Sequence, residues 1–329
     1  MKRVLFFVVI SLISLLTFAK GSDIKVGVIG LDTSHAPAFI KMLNAETKEK
    51  PYEGFKVVAA YPYGSRKIKS SYDRIPKYTE EAKAHGVKIV NSIAELLKEV
   101  DCVLLETNDG NEHLAQAEEV FKAGKTVFID KPIGANLPQA IAIIRLAEKY
   151  KVPMFTSSAL RFVSKNQEIR AGKMGKVVGA DCYSPCVNEP SHADNYWYGI
   201  HGVETLYTIM GVGCETVSCT STEGTVVAVG KWNDNRIGTF RGVREGKHVF
   251  GGTAFTTEQA AQVGGYDGYK DLLKEILQFF RTKEAPVSFD ETLEIFTFME
   301  AANESKRQGG KPVSMKEVFE KAKSESLKL

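Results

Sequence analysis

An apolar run, Val26 to Ile29, ends on Gly30 and passes almost at once into an amphipathic stretch, Ala36 to Leu43. A short continuous apolar run of this kind reads as a strand buried on both faces, the kind that builds parallel sheets. The alternation then repeats. Phe55 to Ala60 is a second strand, and Lys77 to His85 is helical with Gly86 as its stop. Ser92 and Glu95 form a capping box that opens a short helix. Asp101 to Glu106 is a strand, and Asn111 to Ala123 a helix closed by Gly124. Thr126 to Asp130 is a strand running into Lys131-Pro132, Leu137 to Tyr150 a helix, and Val152 to Thr156 a last short strand. Repeated βα units of this length predict an α/β fold with a doubly wound parallel sheet.

After Ser157 the pattern changes. Asn166 to Ala171 and His201 to Met210 read as helices. The stretches 176–184, 215–221, 225–232, 235–241 and 247–255 are rich in Val, Thr, Phe and Gly and read as consecutive strands of a mainly antiparallel sheet. Asp267 to Phe280 is a helix, and two more are opened by the capping boxes Ser288–Glu291 and Ser314–Glu317. The expected organisation is a signal peptide over 1–19, a Rossmann-type domain over 20–156 and an α+β domain over 157–329.

The signal is read from Lys2 and Arg3, the apolar run Val4 to Leu16, and a small residue for cleavage at Ala19. The run is short for a membrane span. Cleavage after Ala19 would start the mature chain at Lys20 and place it in the periplasm or outside the cell. No cysteine follows the apolar run, so a lipid anchor is not expected. The net charge of +3 is spread through the chain, with no basic stripe interleaved with aromatics, so nucleic acid is not an implied partner. Five cysteines, Cys102, Cys182, Cys186, Cys214 and Cys219, cannot all pair within one chain. Export permits a bridge among the last four, while their places in or beside apolar runs fit buried thiols equally well.

The turn after the first strand is where a dinucleotide-binding fold keeps its G-x-G-x-x-G phosphate loop. Here it reads Gly30-x-Asp32-x-x-His35. The first glycine is present. Asp32 stands where the backbone should approach a pyrophosphate, and His35 where helix and strand should pack closely. An ionised Asp32 aimed at a pyrophosphate from ~4 Å could cost ~4 kcal/mol at an effective dielectric of 20. Asp32 must therefore turn aside, for instance onto backbone amides, or the phosphates must shift. The acid expected after the second strand is also missing, because that position falls at Tyr61-Pro62. The basic turn Gly64-Ser65-Arg66-Lys67 could hold a ribose 2′-phosphate or be a solvated loop.

An ordered series of short motifs runs through the chain. It comprises Gly27 to Gly30, Asp101 to Thr107 with His113, Gly124 to Pro132, Arg161-Phe162, Gly175, His201 and Gly309 to Val313. In this series the chain resembles the glucose-fructose oxidoreductase / inositol dehydrogenase / MocA (Gfo/Idh/MocA) family. Asp130-Lys131-Pro132 matches that family's Glu-Lys-Pro signature with Asp for Glu. The resemblance implies a Rossmann domain with a sheet domain behind it, NAD or NADP as cofactor, carbohydrate or polyol substrates, and homo-oligomers. It implies cofactor contacts from Gly30, Asp32, Thr33, Ser34 and His35, from Thr107, Asn108 and His113, and from Lys131 and Pro132. It implies substrate contacts from Lys131, Arg161, Asp194, Trp197 and His201.

Lys131 and His201 are the candidate catalytic residues. A lysine at the carboxyl end of a parallel strand can bond a substrate hydroxyl and favour its deprotonated form, as hydride abstraction from a carbinol requires. The same lysine could be a solvated residue of a βα turn. His201 matches the family histidine that moves a proton at the reacting oxygen, a task suited to a group titrating near neutrality. The family often carries an aspartate four residues earlier, where this chain has Trp197, and Asp194 is the nearby substitute. His201 could equally cap its helix. His192, Asp194, His201 and Glu204, with Cys182 and Cys186, are metal-ligand types; no pair shows a recognised zinc spacing, although His201 and Glu204 stand i, i+3 on one helix, so structural duty is the expectation and a metal the minor alternative. The leading reading is an exported NAD(P)-dependent oxidoreductase acting on a carbohydrate or polyol with a modified cofactor site. Glycoside cleavage by transient oxidation with a retained cofactor, and a cofactor-deficient carbohydrate-binding protein, stay open beside it.

Overall fold

The computed structural model describes residues 23–329. The expected signal and cleavage point lie outside the described residues. Two sheets carry the fold. The first is assembled from β1 (Ile24–Ile29), β2 (Phe55–Tyr61), β3 (Lys88–Ile89), β4 (Cys102–Leu105), β5 (Thr126–Ile129) and β6 (Met154–Phe155). All neighbours in it are parallel, in the order β3-β2-β1-β4-β5-β6. Strand order reverses between β1 and β4, so a crevice opens above their carboxyl ends. The core strands are apolar throughout, as burial on both faces demands: Val26, Val28 and Ile29 of β1 and all of β4 and β5 are buried.

The connections follow the expected punctuation. α1 (His35–Leu43) buries Phe39, Ile40 and Leu43 against the sheet. A short α2 (Lys69–Tyr72) and then α3 (Ile75–Ala84) follow β2, the first of these without an apolar pattern that would reveal it. In α4 (Ile93–Leu97) the Ser92 hydroxyl accepts the Glu95 amide. α5 (Gly110–Lys122) is capped by Asp109, and α6 (Leu137–Tyr150) by Asn136. The Lys131-Pro132 peptide bond between β5 and α6 is cis.

A short α7 (Ser164–Arg170) leads to the second sheet. Its strands are β7 (Val177–Pro185), β8 (Cys214–Ser221), β9 (Thr225–Trp232), β10 (Ile237–Val243), β11 (Gly251–Thr256), β12 (Ala260–Val263) and β13 (Val313–Ser314). They lie in the order β12-β11-β7-β10-β9-β8-β13. The expectation of consecutive neighbours is corrected here. β7 lies between β10 and β11 and pairs with β10 in parallel; the other pairs are antiparallel. α8 (Gly199–Met210) covers one face, with Gly202 pressed against the Phe240 ring. The five cysteines are buried free thiols.

α9 (Lys270–Thr282) returns to the first sheet, where Phe279 packs on Phe155 at 4.9 Å between ring centroids. The chain closes with α10 (Phe289–Arg307) and α11 (Met315–Ser326), whose capping serines accept the Glu291 and Glu317 amides. Among the described residues no helix is long and apolar enough to cross a membrane.

Candidate functional site

The turn after β1 is built around a close approach. Gly30 has φ +93°, and a Cβ there would lie 2.4 Å from the Thr107 amide nitrogen, so only glycine lets β1 and the β4 loop meet. Two residues on, Asp32 is fully buried. Its carboxylate accepts the Ser65 amide at 3.2 Å and the Asn108 amide at 3.1 Å, bridging the loops after β2 and β4. Burial nonetheless pushes its pKa up to about 7. The segment 64–74 is drawn down onto it. A Cβ on Gly64 would lie 2.8 Å from the Asp32 Cβ, Ser65 donates to Asp109 at 2.7 Å, and Ser71 accepts from Asn108 at 2.9 Å. Ser65, Ile68 and Ser71 are buried, and Arg74 donates to the Asp32 carbonyl. Segment 64–74 thus covers part of the crevice above β1 and β4. Ser65 is locked inside, while Arg66 and Lys67 face out.

His35 opens α1 and turns toward the ends of β4 and β5. Its Nδ1 lies 2.9 Å from Asp130 Oδ1 and 3.5 Å from Glu106 Oε2, both carboxylates being fully buried. Lys131 Nζ lies 3.9 Å from the other Asp130 oxygen. Burial opposes charge on His35, but the two carboxylates outweigh it and raise its pKa to about 10. Burial also works against an ionised Asp130, yet His35 and Lys131 draw it down to about 2, while burial lifts Glu106 to about 7. His35, Glu106 and Asp130 present ligand atoms within 4.8 Å of one another. Ion pairs to His35 and Lys131 offset the charge of this cluster, but His35 Nδ1 and the Glu106 and Asp130 oxygens have no hydrogen-bond partner among the described residues. Glu106 is a residue the sequence reading missed, although an acid closing an apolar strand was the available signal.

Beside this cluster lies a pocket of about 240 Å³ between the two sheets. Thr33, Ser34, His35 and Asn108 reach it from the turns of the first sheet, and Lys131 from the end of β5. His201 reaches it from α8, whose first residue, Gly199, precedes the expected start. Lys131 and His201 therefore face one cavity. His201 Nδ1 is 2.7 Å from the Ser158 hydroxyl, and Nε2 has no partner among the described residues. Burial, and next the Lys131 charge, hold its pKa well below the ordinary histidine value. Trp197, Tyr198, Phe250 and Tyr266 form an aromatic wall, with Lys131 Nζ 5.9 Å from the Tyr198 ring centre. Tyr269, at the start of α9, bonds Ser34 at 2.8 Å and packs edge-on to His35. Trp197 is one of the expected contacts; no local pattern marks Tyr198, Phe250, Tyr266 and Tyr269, because the fold brings them in from distant segments.

Other expected contacts lie elsewhere. Arg161 is buried away from this pocket, paired with Glu204 and Glu291, both at 2.7 Å; it ties α8 to α10 and does not meet a ligand there. Asp194 is held by Arg244 at 2.6 Å and Lys306 at 3.0 Å, so it does not replace the family aspartate. His113 is fully buried with both ring nitrogens on the carbonyls of Thr107 and Ile133, which fixes the two turns rather than reaching a cofactor. Thr107 and Pro132 are buried beneath the pocket rather than lining it. Glu204 is committed to Arg161 and Ser158, and His192 Nε2 accepts the Gly110 amide, so the residues considered for a metal do not converge.

Residues 24–158 match the family model described as "Oxidoreductase family, NAD-binding Rossmann fold", the Gfo/Idh/MocA model. "Uncharacterized oxidoreductase YhhX" of Escherichia coli (strain K12) is 23% identical over 154 residues, a match covering 43% of this chain and 45% of that protein. The match thus spans less than half of that relative. A "probable dehydrogenase from Thermotoga maritima" superposes with a TM-score of 0.72 at 19% identity, covering 90% of this chain and all of that one. Scyllo-inositol dehydrogenase from Lactobacillus casei, with bound NAD(H) and scyllo-inositol, superposes with a TM-score of 0.70 at 15% identity over 89% and 99% of the two chains. NAD is the cofactor of this family. In this chain segment 64–74, tied to Asp32 and Asn108, narrows the pyrophosphate end of its groove.

Proposed function

We propose, from the premise that residues 24–158 belong to the Gfo/Idh/MocA oxidoreductase family, that this chain is an exported protein that takes a carbohydrate or polyol into the pocket between its sheets and activates one hydroxyl there. One observation carries the reading: Lys131 from the first sheet and His201 from α8 line the same aromatic-walled pocket. Aromatic faces suit the apolar face of a sugar ring, and clustered hydroxyls suit its oxygens.

In this reading the Lys131 ammonium donates to a substrate hydroxyl oxygen and favours its alkoxide. His201 takes the proton. With Nδ1–H donated to Ser158, its Nε2 is the open acceptor, and burial keeps the ring neutral for that task. Asp130 positions Lys131 from behind. Redox turnover with NAD or NADP would further require segment 64–74 to withdraw. The plug itself favours a second reading, in which the pocket binds a carbohydrate without turnover. Glycoside cleavage with a retained cofactor is the reading it disfavours. Exposed Val229, Ile237 and Phe255 on the open face of the second sheet support association of copies.

Native mass spectrometry of protein purified from its own envelope, with turnover assays on inositols and hexoses, tests these readings. Substrate-dependent turnover abolished in Lys131→Ala supports the enzyme; sugar binding with no turnover supports the binding protein. Retention of an intact Met1 in secreted material would contradict cleavage after Ala19 and a mature start at Lys20.

A further inference from the structure

The charged residues that line the pocket are all of one sign. His35, Arg74 and Lys131 reach its surface, and no aspartate or glutamate does. The compensating carboxylates of Asp32, Glu106 and Asp130 are fully buried one layer behind. A ligand in the pocket touches the cations first, and Coulomb attraction falls with distance, so the nearer layer dominates. Burial also holds Glu106 partly protonated near neutrality, which leaves the wall with excess positive charge.

We propose that the ligand of this pocket is a polyhydroxy acid, a sugar carrying a carboxylate such as an aldonate or uronate, with the carboxylate drawn to the Arg74 and His35 side and the hydroxyls toward Lys131 and His201. This inference rests on the carbohydrate reading above and narrows it. Arg74 offers the planar fork that pairs with carboxylates; its Nη1 donates to the Asp32 carbonyl, and its guanidinium has no other hydrogen-bond partner among the described residues. Asn108 and the hydroxyls of Ser34, Ser70 and Ser158 supply polar contacts for the remaining oxygens. The pocket, about 240 Å³, is of monosaccharide scale and lies below the usual range for drug-sized ligands.

The test is calorimetric titration of the full mature protein at low salt with glucuronate, gluconate, glucose, myo-inositol, glucose 6-phosphate and acetate. The inference expects one of the two sugar acids to bind at least tenfold more tightly than either neutral compound. It expects Arg74→Gln to collapse that ratio toward one. Arg74 is half-buried near the surface, so the variant should fold, and the wild-type ratio is informative without it. Equal or tighter binding of the neutral compounds would overturn the sugar-acid inference and leave the carbohydrate reading standing. A preference for glucose 6-phosphate, or acetate binding as tightly as the sugar acids, would overturn it in favour of a phosphate ligand or simple anion capture. Binding of none of the six would overturn the carbohydrate reading as well.

Discussion

The two ends of one crevice have diverged. At the β5 end, Asp130-Lys131-Pro132 keeps the family's turn, and Lys131 faces open space with its side chain 11% exposed. At the β1 end, the same sheet edge is closed: Asp32 has no exposure and spends its oxygens on Ser65 and Asn108. Asp32 stands in the turn before α1 and ties the loops after β2 and β4 over it, so an anion approaching the α1 N-terminus meets this carboxylate and the tethered segment 64–74. His35 joins the ends, since its ring leaves the phosphate turn to pair with Asp130. A glycine loop can thus be replaced by side chains that seal the groove while the neighbouring pocket keeps its shape.

The largest effects should come from the buried charges. Arg161→Ala removes the cation from buried Glu204 and leaves Glu291 to Arg170 alone, and should destabilise the protein by about 3–5 kcal/mol in denaturant unfolding. Ligand affinity of the folded fraction should not change, because Arg161 lies outside the pocket. Lys131→Ala comes next. It should lower turnover or ligand affinity about 100-fold, roughly 2.7 kcal/mol, with a near-native unfolding midpoint. Unchanged activity would place the retained end of the crevice outside the chemistry.

Asp32→Gly probes the closed end. It removes the bridge between Ser65 and Asn108, so segment 64–74 should loosen and NAD affinity should rise about tenfold, read by calorimetry. Replacing His35 by glycine as well is not the way to reopen the loop, because it would strand Asp130 and Glu106 as buried acids. Added salt should not help the natural protein, since a fully buried Asp32 is scarcely screened.

The buried cluster also sets a pH slope. His35 has a folded-state pKa of about 10 against an ordinary 6.5, so the stability it contributes is complete below pH 6.5 and lost as pH rises toward 10. The thermal midpoint should fall across that window, and His35→Gln should remove that part of the slope. An equal slope in the variant would mean that His35 is not the cation of the cluster.

The succession of βα units was legible because apolar runs and caps are local signals: Ser92, Ser288 and Ser314 each cap the helix they announce. The pairing of β7 with β10 was not, because register between distant strands leaves no periodic trace. At the site, Lys131 and His201 were visible as motif positions, and Asp32 and His35 as departures from a glycine pattern. Asp32's turn onto backbone amides was among the foreseen resolutions. The plug was invisible, since Ser65 and Ser71 look like loop residues until the fold buries them. Arg161 and Asp194 misled because a charged residue near a motif reads as a ligand, whereas their partners Glu291, Arg244 and Lys306 lie far along the chain.

The chain's own residues narrow the phosphate end of the crevice. Calorimetric titration of NAD and NADP into the natural protein and Asp32→Gly tests it most directly. The account predicts a dissociation constant of about 1 mM or weaker for the natural protein, and about tenfold tighter binding by the variant. Micromolar binding by the natural protein, unchanged in Asp32→Gly, would show that segment 64–74 yields freely and would contradict the claim.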